Sequence, residues 1–148
     1  MDNLTISPMS LEDLDLIKDK ISTDFDDFWT YSIFKTELLN KNSKYFVAKI
    51  NGQIVAFAGI WKAVDVFHIT NIVTKKSFRN QGIGSIMLDK LIDYAKSDNN
   101  IFSITLEVNE NNTSARKLYE KYGFEIAGTR KKYYNNIDNA LIMTKQLN

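Results

Sequence analysis

The stretch Arg79-Asn80-Gln81-Gly82-Ile83-Gly84 follows an apolar, β-branched run over 66–73 and precedes a segment with helical periodicity. The two glycines therefore lie at a strand-to-helix junction, where they let the backbone approach a ligand closely. The first amides of a helix have no partners inside that helix and carry the positive end of its dipole. We predict that the main-chain amides of Gln81 to Ser85 hold a phosphate or pyrophosphate group.

The spacing of this loop separates three kinds of phosphate-binding motif. A Walker loop needs a lysine and then Ser or Thr after its second glycine, and here Ser85 follows Gly84 without that lysine. A dinucleotide fingerprint needs three glycines early in a strand–helix–strand unit, and this loop has two. What remains is Arg-x-x-Gly-x-Gly. Taken alone, this pattern is better interpreted as a helix start that needs small residues.

Composition excludes several kinds of protein. The chain has 148 residues, a size that suits one domain over 1–148 with a full core. A formal net charge of +1 gives no support for a nucleic-acid partner. The sequence has no cysteine and one histidine, so disulfides, a cysteine nucleophile and a metal site are not expected. No apolar run reaches the length of a membrane span and no signal-peptide pattern is present, so we expect a cytoplasmic protein without a membrane partner.

The N-terminal third of the chain predicts an edge strand followed by two helices. The alternating segment Leu4 to Ser7 is typical of a short strand. Ser10 is placed to cap the first helix, with Asp13 completing a capping box. The acidic segment 24–28 predicts a loop, and Thr30 is placed to cap the second helix.

The remaining chain alternates strands and helices. The predicted strands cover residues 45–50, 53–61, 64–74, 101–108, 124–134 and 140–147, and the predicted helices cover 82–97 and 113–122. Asn51-Gly52 is a strong signal for a two-residue hairpin turn. Lys62-Ala63 and residues 135–139 are predicted as two further turns, and Gly123 is expected to end the last helix.

This order of elements predicts a single-domain α/β fold. One strand, two helices, three strands, a helix, a strand, a helix and two strands follow each other. The three strands within 45–74 should form an antiparallel meander. The helix over 82–97 is long enough for a crossover, so the strands on either side of it should run parallel. We predict a mixed sheet with helices on both faces.

The order of elements and the glycine loop together resemble the GNAT family of N-acetyltransferases along the whole chain. Four stretches are similar to the branch of that family that acetylates protein amino termini, including those of ribosomal proteins. They are His68-Ile69-Thr70-Asn71-Ile72-Val73, Leu106-Glu107-Val108, Leu118-Tyr119-Glu120-Lys121-Tyr122-Gly123-Phe124 and Tyr133-Tyr134. Three features depart from that branch: Lys75-Lys76 replaces a usual Asp-Pro, Val66 replaces a frequent glutamate, and the final hairpin loop is short.

The resemblance implies acetyl-CoA as cosubstrate and the amino terminus of a protein, such as a ribosomal protein, as acceptor. It implies that Glu107 is the base and Tyr119 the acid. The chemistry agrees, because an α-amine has a reference pKa of about 7.7–8.0 and loses its proton easily to a carboxylate. A thiol has a reference pKa of about 8.5, so a phenol can protonate the departing thiolate. The alternative interpretations are a solvated glutamate at a strand end and a core aromatic residue.

Binding residues follow from the same resemblance. The predicted CoA contacts are Ile72, Val73, Thr74, Arg79, Asn80, Gln81, Gly82, Ile83, Gly84, Ser85 and Asn112. Asn112 has an alternative interpretation as a turn or helix-cap residue. Trp29 and Tyr133 are candidate walls of the acceptor cleft, with core packing as the alternative. His68 is not assigned to proton transfer.

Three functions are consistent with these patterns. The first is an acetyltransferase for protein amino termini, and the second is the same fold acting on a small amine or a lysine side chain. The third is a binding module that holds acyl-CoA without turnover. The presence of both Glu107 and Tyr119 favours catalysis over the third. We expect a monomer or a weak dimer.

Overall fold

The computed structural model describes residues 3–26, 29–134 and 137–147, although not the side chains of residues 133 and 134. The described helices are α1 (Leu11–Ile17), α2 (Tyr31–Leu39), α3 (Ile83–Lys96) and α4 (Thr113–Lys121). The described strands are β1 (Leu4–Pro8), β2 (Ser43–Ile50), β3 (Gln53–Ala63), β4 (Val66–Thr74), β5 (Ser103–Asn109), β6 (Glu125–Tyr134) and β7 (Asp138–Gln146). A short π-helix covers Ile21–Phe25 and a 3-10 turn covers Lys76–Phe78. None of the helices in these ranges is long and apolar enough to span a bilayer.

The strands form a mixed sheet in the order β1-β2-β3-β4-β5-β7-β6. The pairs β1/β2, β2/β3, β5/β7 and β6/β7 are antiparallel. Strand β4 runs parallel to β5, with Val66, Phe67 and His68 opposite Ser103, Ile104 and Thr105. A crossover that contains α3 separates the two strands in sequence, which is the connection that a parallel pair requires. The predicted α/β fold, the order of its elements and its parallel pair are therefore confirmed.

Contacts between Cα atoms divide the chain into two compact units. The first comprises Met1–Trp61 with Thr70–Asp93, and the second comprises Lys62–Ile69 with Tyr94–Asn148. That residues 1–148 act as one domain stays a prediction.

Helices cover both faces of the strands in the first unit. Tyr45 and Val47 of β2 belong to a buried cluster with Leu14 of α1 and Phe34 of α2. Phe46 lies between them in sequence, and the ammonium group of Lys90 in α3 lies 5.2 Å from the centre of its ring. Since successive side chains on a strand face opposite ways, α1 and α2 contact one face of β2 and α3 contacts the other.

Several local signals in the sequence act as predicted. The Ser10 Oγ accepts a hydrogen bond from the Asp13 amide at 3.1 Å, and the Asp13 carboxylate accepts one from the Ser10 amide at 2.9 Å. Thr30 caps α2 by accepting from the Ile33 amide. In the β2–β3 turn, Asn51 and Gly52 have φ angles of 52° and 81°, as a hairpin turn of this type requires.

One predicted turn is wrong in position, and one predicted loop is replaced in part by a helix. Strand β3 continues through Lys62-Ala63, and the turn lies at Val64-Asp65, where Val64 has a φ angle of 57°. The Lys62 ammonium group binds the Asp98 carboxylate at 2.7 Å, a partner distant in sequence that stabilises the extended strand. Of the predicted loop over 24–28, residues 24 and 25 belong instead to the π-helix, in which Ile21 and Phe25 lie about one helical turn apart and both enter the core. Residues 27 and 28 lie outside the described ranges.

The turn predicted at 135–139 is described only in part. Residues 135 and 136 lie outside the described ranges, whereas Asp138 and Asn139 already belong to β7. The other strand and helix limits differ from the predicted ones by one or two residues, as helix and strand ends commonly do.

The core leaves no room for a side chain at Gly59. It lies opposite Tyr45 across the β2–β3 pair, and a Cβ atom built on it would overlap the Tyr45 ring. We expect Gly59→Ala to lower the free energy of unfolding by about 1–3 kcal/mol, because the core would be overpacked. Urea denaturation measures this change.

A second background tests the cause of that loss. In a Tyr45→Leu protein the ring is absent, so Gly59→Ala should cost much less there than in the parent. An equal cost in both backgrounds would show that the ring is not what excludes a side chain at this position.

Candidate active site

The glycine loop of the first unit has the backbone that an anion site needs. Asn80 and Gly82 both adopt the left-handed conformation, with φ angles of 63° and 83°. Helix α3 begins at Ile83, whose side chain is buried, and its carbonyl ladder starts with the Gly82 oxygen accepting from the Ile86 amide. Alternation of left- and right-handed residues turns neighbouring amides toward one concave surface. The loop can therefore present several N–H groups to a phosphate.

The side chain of Arg79 links the start of this loop to two other backbone segments. Its Nε donates to the Thr74 carbonyl at 3.1 Å and its Nη2 donates to the Phe25 carbonyl at 2.7 Å. Hydrogen bonds from a charged donor are stronger than neutral ones, so Arg79 ties the end of β4 and the π-helix to the start of the loop. The sequence indicated a basic residue here but not these two partners. Direct contact between Arg79 and CoA stays a prediction.

The last residues of β4 offer main-chain groups. The parallel pairing with β5 covers Val66 to His68, and the predicted segment Ile72 to Thr74 lies beyond those three pairs. Val73 is buried in the core. The amide of Lys75, the first residue after this segment, donates to the carbonyl of Val55 in β3 at 2.7 Å. This segment is thus fixed on its β3 side, and an extended ligand could add to its opposite edge as a further strand.

Glu107 lies on the open face of β5 in the second unit. Its neighbours Leu106 and Val108 are buried, so alternation directs Glu107 to the opposite face. The carboxylate Oε1 forms an ion pair with the Arg130 Nε at 3.1 Å, with the Glu107 and Arg130 side chains 31% and 55% exposed. The sequence predicted the position of Glu107 but not its partner Arg130, which comes from a different strand.

His68 of β4 lies on the same face as Glu107. It lies opposite Thr105, which shares a face with Glu107 two residues along β5. Burial lowers the pKa of His68, and the Glu107 carboxylate opposes that effect. The imidazole is therefore neutral at neutral pH, since its ordinary pKa is already near 6.5.

Helix α4 carries Tyr119 and is capped at its start by Asn112. The Asn112 Oδ1 accepts from the Ala115 amide at 3.2 Å, so the alternative interpretation of this residue as a helix cap is correct. A pantetheine carbonyl would need a hydrogen-bond donor, which is the Asn112 Nδ2 group and not its Oδ1. Tyr119 is half-buried, with its ring edge-to-face at 5.8 Å from the Phe124 ring. Packing and a hydroxyl role are compatible, because a tyrosine can bury its ring and expose its tip.

A polar network joins the loop before α4 to the start of β7. Asp138 accepts hydrogen bonds from the side-chain amides of Asn109 and Asn111, each at 3.1 Å. The Glu110 carboxylate accepts from the side-chain amide of Asn139 at 3.2 Å, and the Glu110 amide donates to the Asn139 carbonyl at 3.0 Å. No motif in the sequence predicted these bonds, which hold the base of the β6–β7 hairpin.

Of the two candidate cleft residues, the side chain of Trp29 is described and that of Tyr133 is not. Trp29 packs on the core of the first unit, with its ring edge-to-face at 5.8 Å from Phe34, as its alternative interpretation held. It also lines a surface cavity together with Lys18, Ser22 and Tyr31. Tyr133 lies in β6, but its side chain falls outside the described part of the chain.

Comparison with known proteins decides the family. The sequence profile of the acetyltransferase (GNAT) family matches residues 10–124. A Bacillus subtilis (strain 168) protein, provisionally named a [ribosomal protein bS18]-alanine N-acetyltransferase, is 34% identical over 142 residues, which cover 95% of this chain and 93% of that relative. The chain belongs to the GNAT family. It is therefore an N-acetyltransferase.

Two further GNAT proteins agree with this result. The Haemophilus influenzae [ribosomal protein bS18]-alanine N-acetyltransferase is 34% identical over 121 residues, covering 78% of this chain and 80% of that protein. The crystal structure of the Escherichia coli ribosomal-protein-S18-alanine N-acetyltransferase superposes with a TM-score of 0.87 at 28% identity, covering 97% of this chain and 94% of that one. The predicted membership of the family is thus confirmed, whereas the roles of single residues stay predictions.

Two glycines of this GNAT chain form a matched pair for testing the loop. Gly52 and Gly82 have φ angles of 81° and 83°, and a Cβ on either would meet no atom within 4 Å. We expect Gly52→Ala and Gly82→Ala to cost similar stability, about 1–2 kcal/mol, because both strain a left-handed backbone. Only Gly82→Ala should weaken acetyl-CoA binding, since its methyl group would lie where a phosphate must approach.

Calorimetric titration with acetyl-CoA measures this difference. Equal affinity in both folded variants and the parent would remove the glycine loop from the phosphate site.

Proposed function

We propose that this enzyme transfers the acetyl group of acetyl-CoA directly to the α-amine at the amino terminus of a protein, and that its acceptor is a ribosomal protein that begins with Ala. The observation that carries the proposal is the 34% identity over nearly the full length of a relative named for that reaction. The carboxylate of Glu107 on the open face of β5 supplies the group that the chemistry needs.

The reaction requires two proton movements. The amine nitrogen attacks the thioester carbon, the C–S bond breaks, and the nitrogen loses a proton. In the proposed mechanism Glu107 accepts that proton. Removing it from the α-amine requires little free energy, because the ordinary pKa of that amine is about 7.7–8.0. The Tyr119 hydroxyl gives its proton to the departing thiolate.

The cosubstrate is proposed to lie along two backbone segments and one side chain. The left-handed residues Asn80 and Gly82 support a pyrophosphate site at the start of α3, because they turn the loop amides inward. The main chain of Ile72 to Thr74 would pair with the pantetheine amides, and the Asn112 Nδ2 would donate to one of its carbonyls. The chemistry needs no metal. Metal independence, a cytoplasmic location and a monomeric or weakly dimeric state stay predictions.

One assay separates the candidate acceptors. Release of the CoA thiol is measured with three acceptors: a peptide that begins with Ala and contains Lys, the same peptide with its amino terminus blocked, and a small polyamine. Turnover of the unblocked peptide alone supports the proposal. Turnover of the blocked peptide indicates a lysine acetyltransferase, and turnover of the polyamine alone indicates a small-amine acetyltransferase. Binding of acetyl-CoA with no release from any acceptor indicates a module without catalysis.

A further inference from the structure

The ion pair between Arg130 and Glu107 crosses a strand. In the register of the second unit, Glu107 lies opposite Ile142 of β7, which in turn lies opposite Gly128 of β6. Arg130 is two residues further along β6, opposite Ala140. Residues opposite each other share a face, so Arg130 reaches diagonally over β7 to the carboxylate. Gly128 presents no side chain in the row of Glu107, and Arg130 is the described residue of β6 that pairs with the carboxylate.

A carboxylate base has a disadvantage, because its negative charge also stabilises the protonated, unreactive form of the amine. A carboxylate beside an amine stabilises the ammonium form, which cannot attack a thioester. An α-amine is already mostly protonated at pH 7, given its ordinary pKa of about 7.7–8.0. A lone carboxylate would therefore keep more of the acceptor in its unreactive form. A neighbouring cation removes that effect without removing the proton acceptor.

We propose that Arg130 is a positioning residue that fixes the Glu107 carboxylate and offsets its charge, so that the acceptor amine is not held as an ammonium ion. This inference rests on the proposed role of Glu107 as base. The proton that leaves the amine passes to Glu107 alone.

In the described part of the chain, the groups that neighbour Glu107 on β4, β5 and β7 do not supply this charge. His68 on β4 is neutral at neutral pH, because burial lowers its pKa. Ile142 on β7 is apolar. Asn109, the next residue on the same face of β5, directs its amide to the carboxylate of Asp138, which is an anion and not a cation.

The test compares pH profiles of kcat/KM for Arg130→Gln and for a matched variant, Lys131→Gln. The two variants lose the same charge, and Lys131 is the exposed residue next to Arg130 on β6. Exposed ion pairs are weak, so we expect Arg130→Gln to lower kcat/KM at pH 7 by roughly two- to fivefold. The loss should vanish near pH 9.5, where the amine is neutral. Lys131→Gln should follow the parent at every pH, and Arg130→Lys should keep most of the parent rate at pH 7.

Two results would overturn the inference. One is an identical pH profile for Arg130→Gln and Lys131→Gln. The other is a loss in Arg130→Gln that is the same at every pH, since that would reflect shape and not charge. If the parent acetylates a polyamine and not the peptide, the proposed acceptor fails. The same comparison is then made with the polyamine, because the argument holds for any amine nucleophile.

Discussion

Replacing Glu107 with glutamine is expected to lower kcat/KM for an Ala-leading peptide by about a hundredfold or more at pH 7. General bases typically contribute that much, and glutamine cannot accept the proton of the amine. Glutamine keeps the shape of the glutamate side chain beside Arg130, so the local geometry should survive. The deficit should narrow as the pH rises above the pKa of the α-amine, because the nucleophile is then neutral without help.

Stability measurements separate this effect from a structural one. The ion pair is partly exposed, so thermal unfolding should change little in Glu107→Gln. Glu125→Gln, an exposed change on β6, serves as the control for loss of one negative charge and should retain full activity. A pH profile of Glu107→Gln with the same shape and height as that of the parent would show that Glu107 is not the base.

Replacing Tyr119 with phenylalanine is expected to slow the chemical step on the order of a hundredfold while acetyl-CoA affinity stays near that of the parent. The ring and its edge contact with Phe124 remain, so stability should be nearly unchanged. Only the hydroxyl that is proposed to protonate the thiolate is lost. An acyl donor with a more acidic thiol needs less protonation, so its single-turnover rate should fall less.

The neighbouring Tyr122 provides the control for this variant. It is a half-buried tyrosine at the end of α4, and Tyr122→Phe should leave both single-turnover rates unchanged. Equal slowing of Tyr119→Phe with both acyl donors would remove the hydroxyl from the acid role. No slowing at all would remove it from the mechanism.

Signals that act within a few residues were predictable from the sequence. The Ser10 cap, the Asn51-Gly52 turn and the left-handed Gly123 just after α4 each depend on groups close to one another in the chain. The face of Glu107 was predictable too, because alternation along a strand needs no knowledge of other elements.

Features that depend on distant partners could not be predicted in this way. The extension of β3 through Lys62 involves Asp98, and the pairing of Arg130 with Glu107 depends on the register of three strands. That register shifts twice along β6, between Ile126 and Gly128 and between Arg130 and Tyr134. A positive φ angle at Val64 has no signal in the sequence, because a β-branched residue rarely adopts it.

The network around Asp138 and Glu110 has a consequence for how this enzyme can change. It fixes the first residues of β7 to the loop before α4, independently of the residues that join β6 to β7. Loop tips tolerate insertions when the backbone at their base is held by its own hydrogen bonds. We expect that connection to accept segments of other lengths while Glu107 and Tyr119, the proposed base and acid, stay in place. Because Tyr133 of this hairpin is a candidate wall of the acceptor cleft, new acceptor preferences could then evolve, or be engineered, at one hairpin without changing the proposed catalytic groups.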